Sequence, residues 1–123
     1  MSFSVWGHLL LFFVNFKYAH KQSKLYHQML NLDISRIFGE IADILEVKGE
    51  NPFKIRAYRK AALTIETLTQ DLKTIAERGG VKELKKIPGV GEGIAKKIVE
   101  IAETGDCKKH IELRREVPAE LLE

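Results

Sequence analysis

Cysteine is all but absent from this sequence. Cys107 stands alone, which excludes an internal disulfide and any zinc site built from cysteines. One unpaired thiol fits a reducing cytoplasm. Long apolar runs are missing too. The longest, Leu9–Val14, falls far short of the ~20 residues that cross a bilayer. Lysines follow that run, whereas a signal peptide carries them before it. No strand-period alternation occurs anywhere, so the expected fold class is all-α.

The chain has 123 residues, 45% of them hydrophobic and 30% charged, which suits one domain with a modest core. The net charge of +3 resides entirely in residues 1–30, which hold Lys17, Lys21 and Lys24 and neither Asp nor Glu. From Asn31 onward basic and acidic side chains balance, so any DNA affinity of the main body must come from local clustering. Residues 1–30 also hold Trp6 and four of the six phenylalanines, Phe3, Phe12, Phe13 and Phe16. Three readings of this leader stand open: a surface or membrane-touching helix, an extra helix over the core, or upstream sequence before a true start at Met29. The expected domains are an atypical leader at 1–30 and a DNA-binding domain at 31–123.

From Asp33 the helix punctuation is regular. Asp33 reads as the N-cap of a helix with Ile34, Ile37, Phe38, Ile41 and Leu45 on one face, stopped near Gly49. Asn51-Pro52 places a capping side chain and then proline at the first helical position. That second helix should turn Tyr58, Ala61, Ala62, Ile65 and Leu68 inward. A shorter helix, Asp71–Arg78, should end at Gly79-Gly80. Val81–Lys86 follows, then a glycine-rich turn, a helix from about Glu92 to Glu103, Gly105, and a last helix from Asp106. The expected architecture is a compact bundle of five to six short helices with an N-terminal appendage.

The segment Leu84-Lys85-Lys86-Ile87-Pro88-Gly89-Val90-Gly91-Glu92-Gly93-Ile94-Ala95-Lys96-Lys97-Ile98 carries the functional signal. Proline stops one helix and two glycines allow a tight reversal with no side chain in the way. The next helix starts at once, so its unpaired N–H groups point out of the turn. Such donors suit a phosphate oxygen and ignore base identity. Lys85, Lys86, Lys96 and Lys97 add counterion-release affinity. A lone Gly-Val-Gly would read as a plain connector; apolar residues at Leu84, Ile87, Val90, Ile94 and Ile98 make the string far more specific. The Gly-Lys-Ser/Thr ending of a Walker-type loop is missing.

At this string the chain resembles the helix-hairpin-helix family. With Gly49-Glu50-Asn51-Pro52-Phe53-Lys54-Ile55-Arg56-Ala57-Tyr58-Arg59-Lys60-Ala61-Ala62 it resembles, more narrowly, the amino-terminal, lyase-like domain of bacterial and archaeal family X DNA polymerases. The likeness runs from Asn31 to about Leu122, including Glu103-Thr104-Gly105 and Leu113-Arg114-Arg115-Glu116-Val117-Pro118. It implies a base-excision-repair module, cytoplasmic and nucleoid-associated, that binds gapped DNA and holds the downstream 5′-phosphate. Membrane partners are not implied; a monomer, or part of a longer polymerase, is. The DNA-binding residues would be Phe53, Lys54, Tyr58, Lys85, Gly89, Val90, Gly91, Gly93, Lys96 and Lys109, with Lys54 and Tyr58 in the phosphate pocket and Phe53 against a template base. No organic cofactor is implied. A monovalent cation, sodium or potassium, would bind the backbone carbonyls of Lys85, Ile87 and Val90.

Polymerase chemistry in that family lies in later domains, so this chain alone is not expected to polymerise DNA. One branch removes 5′-deoxyribose phosphate through a lysine Schiff base and β-elimination, and Lys97 matches its nucleophile. At ~100° per residue Lys97 falls on the flank of its helix's apolar face, while Lys96 points to water. A flanking amine can be partly desolvated. Against this, Gly93 stands where that branch carries a phosphate-binding lysine. A protein-interaction scaffold is the third reading. His8, His20, His27 and His110 show no metal spacing and no carboxylate partners. Glu40, Asp43, Glu46 and Glu50 read as a solvated face, and Cys107 as a passive surface thiol.

Overall fold

The computed structural model describes residues 28–122. The three leader readings concern residues 1–30, of which 1–27 lie outside the described residues. Among those described, every regular element is helical. The first helix, α1, covers residues 28–47. It is followed by α2 (Pro52–Glu66), α3 (Leu72–Leu84), α4 (Glu92–Thr104), α5 (Lys108–Glu116) and a short 3-10 turn at Ala119–Leu122.

α1 is the axis of the core. Ile34, Ile37, Phe38, Ile41, Ala42, Ile44 and Leu45 are all buried, a wider face than the expected stripe. Asp33 does not cap it. The chain is already helical before Asp33, which lies exposed 3.8 Å from Arg36. Asn31 supplies the reason. Its amide donates to the Gln70 carbonyl at 2.7 Å and accepts from the Leu72 N–H at 3.2 Å, so a buried side chain two residues earlier anchors the helix. Gly49 ends α1 as expected. At φ 68° it lets Glu50 N–H reach the Leu45 carbonyl and its own N–H reach that of Glu46, the paired bonds of a Schellman stop.

Asn51 caps α2 by accepting from the Phe53 N–H at 2.9 Å, with Pro52 at the first helical position. Tyr58, Ala61 and Ile65 are buried; Ala62 packs partly buried, as does Leu68 from beyond the helix end. Ser35 donates to the Ala62 carbonyl at 2.7 Å, and Arg59 pairs with Asp43 at 3.0 Å and with Glu46. The acidic face of α1 is therefore bridged to α2 rather than simply hydrated. The glycine pair interrupts α3 as expected: Gly80, at φ 58° and ψ −146°, leaves helical geometry, and a second short helical stretch runs from Val81 to Leu84.

α4 ends at Gly105, in the left-handed region. α5 starts two residues later than expected, because Asp106 spends its carboxylate elsewhere. It accepts from the Cys107 N–H at 2.7 Å and from His110 Nδ1 at 2.7 Å. His110 Nε2 lies 2.6 Å from Glu40, and the ring is only 2% exposed. This corrects the reading of His110 as lacking carboxylate partners: it is clamped between α1 and α5. Cys107 is likewise no surface thiol. It is buried, and burial pushes its thiol above the ordinary range.

Two outcomes follow from this packing. Ile98→Ala, which empties a fully buried position on α4, should cost ~2–5 kcal/mol, and Asn51→Ala ~1 kcal/mol, in urea unfolding. Cys107 should react with a soluble disulfide reagent at neutral pH only once denaturant is added; rapid stoichiometric reaction of the native chain would contradict its burial.

Candidate nucleic-acid interface

The hairpin is built by burying two apolar residues on either side of a tight turn. Ile87 and Val90 are 7% and 5% exposed, and the Val90 N–H donates to the Ile87 carbonyl at 3.0 Å. Pro88 and Gly89 hold the middle of that turn, and Gly89 at φ 86° takes the left-handed place that a type II turn reserves for glycine. Pro88 also fits the stop of α3, whose cap is Lys85.

Gly91 caps α4 with no side chain to accept a hydrogen bond. The first intrahelical acceptor is its carbonyl, taken by Ala95 N–H at 2.9 Å, so the N–H groups of Glu92, Gly93 and Ile94 have no capping side chain. A Cβ placed on Gly91 or Gly93 would meet no atom within 4 Å. Glycine there is not demanded by packing; a side chain at either position would meet only open space beside the first amides of α4.

A cleft of about 490 Å³ opens at this point, with Leu45, Ala57 and Ile94 as its apolar lining. It brings together Lys54, Tyr58, Gly89, Gly91, Gly93, Lys97 and Lys109 from the expected set, contributed by α2, the hairpin, α4 and α5. Three lysines and no carboxylate line it. Tyr58 forms its floor. Its ring packs on Phe38 with centroids 5.9 Å apart, and burial raises its hydroxyl above the ordinary range, so it remains a donor at neutral pH. Lys97 is half-buried on the flank of α4, its Nζ 5.9 Å from the Tyr58 ring centroid. The opposite orientation of Lys96 also holds: it is exposed, 3.8 Å from Glu92.

Phe53, Lys85, Val90 and Lys96 do not line the cleft. Phe53 stands 74% exposed on the first turn of α2, with the Arg56 guanidinium 4.8 Å from its ring centroid. Lys85 lies exposed at the hairpin, and Val90 acts as an anchor inside the core. Sequence reasoning overlooked Arg56 and Lys108. Lys108 joins Lys96, Lys97 and Lys109 in an adjoining hollow of about 360 Å³, which Glu100 and Glu112 also line. The signal for Lys108 was its place beside Lys109 at the start of α5. A larger hollow of about 740 Å³ beside the start of α1 has Glu66 and Asp71 as its charged lining and no cation, the opposite charge character to the smaller cleft. No group of three or more His, Cys, Asp or Glu capable of holding a metal occurs among the described residues, and no helix there is long and apolar enough to cross a membrane.

Comparison with known proteins agrees with this architecture. The helix-hairpin-helix domain family matches residues 29–107. The chain is also similar to the DNA polymerase/3'-5' exonuclease PolX of Bacillus subtilis (strain 168), 36% identical over 90 residues. That alignment covers 73% of this chain but only 15% of the relative. The turn, the uncapped start of α4 and these likenesses agree: the chain belongs to the helix-hairpin-helix domain family, in the form carried by family X DNA polymerases.

Proposed function

We propose that this domain is a sequence-nonspecific DNA-binding module that grips the backbone of gapped DNA and seats its 5′-phosphate in the cleft. One observation carries the reading: Lys54, Tyr58, Lys97 and Lys109 converge on the same cleft as the glycines of the hairpin. A terminal phosphate there meets ammonium groups, a phenol donor and free amide hydrogens, and none of these reads base identity. The exposed Phe53–Arg56 pair offers a flat apolar and cationic face on which an unpaired template base can stack. The relative's printed name supplies the context of a polymerase; the aligned part is a small fraction of it, so polymerase and exonuclease chemistry stay with that protein.

The hairpin carbonyls suit a monovalent cation. Those of Lys85 and Val90 accept no hydrogen bond from the described residues, and that of Ile87 accepts one, leaving a lone pair. Such a cation would supply positive charge between the turn and a phosphate.

A second reading, a 5′-deoxyribose phosphate lyase, draws support from Lys97. Its half-buried amine lies against Tyr58 inside the phosphate cleft, where an aldehyde sugar next to that phosphate would come to rest. Gly93 leaves the start of α4 without the lysine of the lyase branch, which favours binding over catalysis.

The 5′-phosphate should strengthen binding to a one-nucleotide gap by about 10- to 100-fold, in line with ~1.5–3 kcal/mol for a charge-assisted hydrogen bond. Lys54→Ala should erase most of that preference. Equal affinity for phosphorylated and unphosphorylated gaps in the unaltered domain would defeat the proposal. For the lyase reading, borohydride should trap the protein on incised abasic DNA and Lys97→Ala should abolish the adduct; failure of the unaltered protein to form one removes that reading.

A further inference from the structure

We propose that Lys60 is a DNA-contacting residue of the hairpin, reaching it from α2 to neutralise an internal backbone phosphate outside the cleft's lining. The inference rests on the DNA-binding reading and adds a second phosphate position to it. Lys60 lies eight residues after the α2 start, yet its stem runs along Gly89. A Cβ built on Gly89 would sit 3.3 Å from both Cγ and Cε of Lys60 and 3.5 Å from Cδ. The glycine is therefore required twice, by its φ of 86° and by the lysine lying over it.

Exposed lysines usually extend into water, where their four-carbon stems keep rotamer freedom. Here the stem is laid on backbone, which delivers the ammonium to the turn. Lys60 has no carboxylate within ion-pair distance among the described residues, in contrast to Arg59 beside it, which holds Asp43 and Glu46. Its charge is thus available to a ligand. Gly89 lines the cleft and Lys60 does not, so the lysine reaches the turn from outside the cleft's lining.

The test is a salt titration of binding to a gapped duplex, with and without its 5′-phosphate. Each neutralised phosphate contributes ~0.9 to the slope of log affinity against log salt. Lys60→Gln should therefore flatten the slope by ~0.9 and weaken binding about eightfold at ~0.1 M salt, equally for both duplexes. Lys60→Arg should retain the slope, and Arg36→Gln, an equal charge change on α1, should leave it unaltered. An unchanged slope in Lys60→Gln overturns the inference while leaving the 5′-phosphate reading intact. Loss confined to the phosphorylated duplex also overturns it, by placing Lys60 in the cleft. No salt-dependent affinity in the unaltered domain brings down both. Because Lys60 is exposed, the variant is expected to keep the native helical circular dichroism and unfolding midpoint, so a binding change reports on DNA contact.

Discussion

Ile87 and Val90 lie in the core on either side of Pro88 and Gly89, and the interface depends on that pair of buried side chains. Each removes apolar surface from water, and together they hold down both ends of the turn. With those ends held, Gly91 enters α4 extended, and the first amides of the helix are left to the cleft. A looser loop could present the same donors only by ordering them when a ligand arrived, at a cost of about 1–2 kcal/mol per residue fixed. Apolar burial thus preorganises the turn and the first amides of α4 before any ligand arrives.

The electrostatics work at the same short range. The main body has no surplus charge, yet three lysines face one cleft that contains no carboxylate. Several carboxylates outside the cleft are paired: Asp43 and Glu46 with Arg59, Glu40 and Asp106 with His110, and Glu116 with Lys48. These ion pairs tie α1 to α2 and α5. Exposed pairs of this kind add little stability individually.

Tyr58 and Lys97 show how core and site share residues. Tyr58 packs against Phe38 on α1, so the floor of the cleft is continuous with the hydrophobic core. The place of Lys97 follows from α4 burying Ile94, Ile98 and Ile101, which leaves the residue before Ile98 on the flank at the cleft edge. Repacking of the core would therefore move cationic groups by amounts that matter to a ligand held through hydrogen bonds.

Local chemistry made much of this readable from the chain alone. Asn51-Pro52, Gly49, Gly105 and the Pro88–Gly93 turn act on neighbours within a few residues, so their roles as cap, stops and hairpin survive in any context that permits helices. Helical spacing likewise separated Lys97 from Lys96. What the chain could not disclose depends on partners distant in sequence. Asn31, not Asp33, anchors α1 because Leu72 and Gln70 pack against it; His110 is clamped because Glu40 meets it from another helix; Cys107 is buried, and Lys60 lies on Gly89. Short-range preferences set where helices begin, end and turn. Which side chains then meet across them is decided by how the buried faces pack, and only the assembled core specifies that.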